Sequence, residues 1–124
     1  MPALDHTIVP VADAEESVRF YGEILGFAAE GLDGPFSVVR VNADTLLLFA
    51  PWGTDGGHHY AFALTEDEFE AAFARIKASG IPYGDSFHDV GNMRGPGNEF
   101  GAHGMAASLY LFDPDKHLIE LRYY

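Results

Sequence analysis

The sequence predicts an α+β fold made of two similar halves in tandem, and three observations carry that expectation. Strand-like and helix-like segments alternate along the chain, a helix N-capping pattern occurs once in each half, and the order of elements in residues 1–57 repeats in residues 58–124. At 124 residues the chain has the size of one ordinary domain, so the halves are expected to be modules of a single domain rather than independent domains.

Leu4 to Val11 is apolar and rich in β-branched residues, as a strand requires, and Pro10 marks an edge or a strand end. Asp13 with Glu16 forms a capping box, after which Val18, Phe20, Tyr21, Ile24 and Leu25 recur at helical spacing up to Gly26. Phe36 to Val41 and Thr45 to Ala50 follow as strands around the turn residues Asn42, Ala43 and Asp44. The first half therefore reads β-α-β-β.

The second half opens with the strand HHYAFALT. Thr65 and Glu68 repeat the capping box ahead of Phe69, Ala72, Phe73 and Ile76, which share one helix face, and Gly80 ends the helix. A strand is expected around Pro82 to His88, and Ala106 to Phe112 and Leu118 to Tyr123 read as strands flanking the turn DPDK. Gly91 to Gly104 holds five glycines and one proline without hydrophobic periodicity, so it reads as a loop, either a lid or a surface connection. Met93, Phe100 and Met105 would give a lid an apolar underside. A repeat of about 60 residues in two copies is too long and too few for a solenoid. A tandem pair is expected instead, each copy curling its strands into a half-barrel around a concave face for a ligand.

Composition narrows the function. Nineteen acidic residues against seven basic ones give a net charge of −12, which repels nucleic acid and anionic membrane surfaces. With no cysteine, any metal must sit on His, Asp or Glu. The N-terminus lacks a basic segment with a long apolar core, and no stretch approaches the ~18 apolar residues of a membrane span, so a cytoplasmic protein is expected.

Strand alternation then singles out three polar residues. His6 shares a face with Leu4 and Ile8, His59 with Ala61 and Ala63, and Glu120 with Leu118 and Arg122. One such residue alone would read as an ordinary core or edge residue. Two imidazoles and a carboxylate together are what Fe(II), Mn(II) or Zn(II) accepts, in an arrangement that leaves positions open for substrate. His58 should face the other way.

The segments LDHTIVPVADAEESVRFYGEILGF, HHYAFALTEDEFEAAFARIKASGI and SLYLFDPDKHLIELRYY resemble the signature segments of the vicinal oxygen chelate superfamily, across essentially the whole chain. That superfamily includes glyoxalases, bleomycin-resistance proteins, extradiol dioxygenases and fosfomycin-resistance thiol transferases. The resemblance implies paired βαβββ modules forming a curved mixed sheet around a metal pocket, with His6, His59 and Glu120 at the ligand positions. It also implies one divalent ion per site, Fe2+, Mn2+ or Zn2+, a small-molecule substrate chelating through adjacent oxygens, and a homodimer in which His6 of one chain joins His59 and Glu120 of its partner.

Among the relatives, glyoxalase-like members add a glutamate on the strand matching Thr45 to Ala50, where this chain has Leu48 or a neighbouring leucine. That favours an open three-ligand site over a four-ligand isomerase or lyase. GAHGMAASLYLFDPDKHLIE resembles the extradiol dioxygenase signature, which implies His103 as an acid/base and Tyr110 as a hydrogen-bond donor beside the metal. A plain loop histidine and a plain strand aromatic remain the alternatives, and Lys116 replaces the usual turn glycine. The thiol transferase resemblance rests on HHYAFAL and on Ser108-x-Tyr110, but an anionic substrate needs more cations than Arg94, Lys116 and Arg122 supply. Ile8, Leu48, Ala61, Ser108 and Arg122 are expected to line the substrate pocket. The expected activity is extradiol-dioxygenase-like, with transferase or lyase chemistry, or non-catalytic ligand binding, as alternatives.

Overall fold

Alternation decides how the first strand is seated: in β1 (His6–Pro10) Val9 is fully buried, whereas His6 and Ile8 reach solvent from the opposite side. The computed structural model describes residues 1–124 and divides into two compact units, Met1–Asp55 and Gly56–Tyr124.

In the first unit Asp13 caps α1 (Ala14–Arg19), its carboxylate accepting from the Glu16 N–H at 3.2 Å. A π-helical turn over Phe20–Ile24 continues the helix to Gly26, whose positive φ of 84° reverses the chain. β2 (Ala28–Asp33), β3 (Phe36–Arg40) and β4 (Leu46–Ala50) complete a sheet of order β1-β4-β3-β2, in which β1 and β4 run parallel and the other pairs antiparallel. Val9, Val39, Leu47 and Phe49 are buried on one face of this sheet, and the Tyr21 ring packs against Phe49 at 4.9 Å. β2 was not legible in the residues themselves. Its sequence, AAEGLD, is exposed throughout, and a bulge between Ala29 and Gly31 breaks the alternation.

The second unit repeats the plan. β5 (His59–Ala63) leads to α2 (Glu66–Ser79), then β6 (Tyr83–Gly84), β7 (Gly97–Gly101), β8 (Gly104–Phe112) and β9 (Leu118–Tyr123). The order β5-β9-β8-β6, with β5 parallel to β9, matches the first sheet strand for strand, and β7 adds to β8 as a hairpin. Ile119, Leu121, Leu109 and Leu111 are buried on one face with Phe69, Ala72 and Ile76 of α2, and the Phe69 ring meets Tyr123 at 4.9 Å. Two mixed sheets with few helices make the fold α+β. No helix is long and apolar enough to cross a membrane.

Two expectations change. Part of the stretch expected to be a loop, Gly97–Gly101, is a strand, because its backbone pairs with Ser108 to Gly104 whatever its side chains are. The strand expected over Pro82 to His88 shrinks to Tyr83–Gly84. There the chain folds back so closely that a Cβ on Gly84 would lie 2.3 Å from the Asp89 carbonyl oxygen.

The capping box of α2 is complete. Thr65 Oγ accepts from the Glu68 N–H at 3.2 Å, and the Glu68 carboxylate accepts from the Thr65 N–H at 2.8 Å. Thr65→Ala is expected to cost about 1 kcal/mol by urea denaturation. A loss below roughly 0.3 kcal/mol would mean the cap adds nothing to a helix already held by packing.

Candidate metal centre

On the face of the second sheet away from α2, the register sets Glu120 between Ala61 of β5 and Tyr110 of β8. His59, diagonally across, turns its Nε2–H to Glu120 Oε1 at 3.1 Å. The His59 side chain is half exposed while that of Glu120 is 9% exposed, so the pair opens to solvent on the imidazole side. The two side chains are thus bonded to each other through a nitrogen and an oxygen of the kinds a divalent metal takes.

The other carboxylate oxygen is taken. Arg122 Nη1 donates to Glu120 Oε2, and Nη2 donates to the carbonyls of Glu99 at 2.7 Å and Gly104 at 3.3 Å. Burial works against the Arg122 charge, but the Glu120 carboxylate bonded to it and Tyr124 beside it outweigh that and raise its pKa. Arg122, expected to line the pocket, is 3% exposed and commits both Nη groups to its own chain.

His6 stands on the open face of the first sheet. Its Nδ1–H donates to Asp5 Oδ2 at 2.7 Å, which leaves Nε2 with the free lone pair a metal needs. Asp5 escaped the sequence reading because alternation sets strand neighbours on opposite faces; β1 begins only at His6, so Asp5 is free of that rule. Along the same face run Ile8, Leu46, Leu48 and Val38, and beyond them Phe36 meets Trp52 edge-on at 5.9 Å. The cation of that sheet, Arg40, is committed to Glu30 at 2.7 Å and to the carbonyls of Asn42 and Ala43.

The remaining candidates divide. Ala61 is exposed beside Glu120, and Ile8 and Leu48 are partly open. Ser108 is buried and donates to the Ala106 carbonyl at 2.9 Å. Tyr110 is buried with its ring 6.3 Å from Phe87, and burial, followed by the charges of Glu120 and Glu99, pushes its phenol above the usual value. His103 caps the β7–β8 hairpin, where its backbone N–H donates to the Tyr124 hydroxyl at 3.3 Å and its ring lies 5.5 Å from that of Tyr124. His58 turns away from His59, as expected, its ring 4.5 Å from His117 and its Nδ1 2.6 Å from the Tyr60 hydroxyl. Within one chain no three His, Asp or Glu side chains gather closely enough to hold a metal. The donors nevertheless fit one in kind: two imidazole nitrogens and a carboxylate oxygen suit Fe(II), Mn(II) or Zn(II), and His59 and Glu120 lie 3.1 Å apart.

Two sheets of identical strand order, each with a histidine at the start of its opening strand and one with a buried glutamate on its last, define a paired-module protein. The chain belongs to the glyoxalase/bleomycin resistance protein/dioxygenase superfamily, whose pattern it matches over residues 3–121. It is 27% identical over 128 residues to glutathione transferase FosA from Serratia marcescens, covering 98% of this chain and 80% of that protein. The solved structure of oxidase ChaP-H1 is 33% identical, with a TM-score of 0.82, covering 100% of this chain and 97% of its own. Oxidase ChaP-H2 is 29% identical with a TM-score of 0.82, covering 99% and 94%.

Proposed function

We propose that the protein is a metal-dependent oxidative enzyme acting on a small molecule with two adjacent oxygens and an apolar body, at sites shared between the subunits of a homodimer. The observation that carries this reading is the convergence of His59 Nε2 and Glu120 Oε1 at 3.1 Å, with a leucine rather than a second carboxylate at position 48. His6, His59 and Glu120 would hold the ion. When bound, it supplies Lewis acidity and, as iron or manganese, a redox couple for oxidation by dioxygen.

The chain's own groups do the rest. Asp5 fixes the His6 tautomer, and Tyr110 keeps its proton at neutral pH and so remains a hydrogen-bond donor. Ile8, Leu48, Val38, Phe36 and Trp52 give the substrate an apolar wall on the sheet that carries His6. The likeness to two oxidases favours oxidation over the other branches.

A thiol transferase is the second reading, favoured by the likeness to glutathione transferase FosA. Against it, an anionic substrate needs free cations, and Arg122 and Arg40 are each committed to a carboxylate. The test loads the purified protein with Fe(II), Mn(II) or Zn(II) and measures metal content, then oxygen uptake with a panel of catechols. About one ion per chain at saturation, lost in His59→Ala, is expected for a two-fold dimer with two sites. Binding indifferent to His59→Ala would exclude the metal centre. Metal binding without oxygen uptake on any catechol would move the reading to the transferase.

A further inference from the structure

We propose that Arg122 is a built-in competitor for the metal at Glu120, a positioning residue that neutralises the ligand carboxylate before a metal arrives and keeps metal binding exchangeable. The inference rests on the metal-centre reading above. Its basis is where the guanidinium sits. Arg122 is 3% exposed, holds Glu120 Oε2 through Nη1 and two β7–β8 hairpin carbonyls through Nη2, and lies 5.3 Å from the centre of the Tyr124 ring. A Cβ on Gly101 would fall 2.4 Å from the guanidinium carbon, so that glycine keeps the space open.

Stability alone does not account for this placement. A buried ion pair offsets its desolvation cost only when all its hydrogen bonds are met, and Arg122 Nε is buried without a partner. The effect on Glu120 does account for it. With Oε2 held, only Oε1, the oxygen beside His59, is free to ligate, so Glu120 is a one-oxygen ligand. The fixed positive charge alongside repels an incoming divalent cation in a poorly screened setting. A metal therefore enters against Arg122, and its affinity is lower than three such donors would otherwise give.

The two roles separate by experiment. In metal-free protein, Arg122→Met is expected to lower the melting temperature because it strands a buried carboxylate. Glu120→Gln in that background is expected to recover most of the loss. Zn(II) affinity, read by competition with a chromophoric chelator, is expected to rise about tenfold in Arg122→Met and to stay within about threefold of wild type in Arg122→Lys. Gly101→Ala keeps the charge but crowds the guanidinium away, and is expected to tighten Zn(II) binding as Arg122→Met does. An arginine with a merely structural role predicts the opposite, since loosening the site would weaken binding.

Equal or weaker Zn(II) binding in folded Arg122→Met, or in Gly101→Ala should Arg122→Met fail to fold, overturns the proposal. If Glu120→Gln abolishes Zn(II) binding while those variants stay at wild-type affinity, this proposal alone fails. If Glu120→Gln leaves Zn(II) binding unchanged, the metal centre fails as well.

Discussion

Mixing His6→Ala chains with His59→Ala chains is expected to restore metal binding that neither variant has alone. In a two-fold dimer whose sites each take His6 from one chain and His59 with Glu120 from the other, a mixed dimer carries one site with every ligand intact and one with both histidines missing. Random exchange makes half the dimers mixed, so recovery reaches about a quarter of the wild-type sites. The arithmetic is specific to shared sites. If all three ligands came from one chain, every site in the mixture would lack a histidine and no binding would return. Metal content after co-refolding the two variants, against each refolded alone, decides it.

Phe49→Ala is expected to be the most destabilising single change in the first unit. Phe49 lies on β4, between β1 and β3, is fully buried, and packs against the equally buried Tyr21. Truncating a buried phenylalanine removes its transfer free energy and leaves a cavity, together about 3–5 kcal/mol. Against a total stability of about 5–15 kcal/mol, that brings the chain close to its folding limit. The control is Leu32→Ala on the exposed β2, where a change within about 0.5 kcal/mol is expected. Denaturant midpoints measure both. A loss at Phe49 no larger than that at Leu32 would show that the face between sheet and helix is loosely packed.

What could be read from the residues followed how local each signal was. The helix starts were legible because a cap involves only four residues: Asp13 accepts from the Glu16 N–H, one half of the expected box, and Thr65 with Glu68 forms both bonds. Alternation told only which strand neighbours His59 and Glu120 each share a face with; that the two belong to one site was implied by the family resemblance, and their side chains lie 3.1 Å apart. β7 and β2 were not legible, since GNEFG and AAEGLD owe their strand geometry to a neighbour's backbone and bury no alternating face. The fate of Arg122 was half legible. Residues two apart on a strand are face neighbours, so Glu120-x-Arg122 carried the signal of an ion pair. That the pair would be buried and tied to the hairpin depended on β7, which the sequence hid. Ser108 and Tyr110 share the site's face, but their burial reflects what covers them.

The His58–His59 pair has a consequence for errors in strand pairing. Leu118 donates its N–H to the His58 carbonyl at 2.8 Å, and the His58 N–H donates to Nδ1 of the fully buried His117 at 3.2 Å. His117 in turn donates its backbone N–H to the Asp113 carboxylate at 2.9 Å. A slip of β5 by one residue would still present a histidine to Glu120, because His58 would simply take the place of His59. Two adjacent histidines would thus make a misaligned strand chemically hard to tell from a correct one. The His58 ring, 4.5 Å from the ring of the buried His117, would lose that contact in the slip, so the side chain turned away from Glu120 is the one that opposes the misalignment.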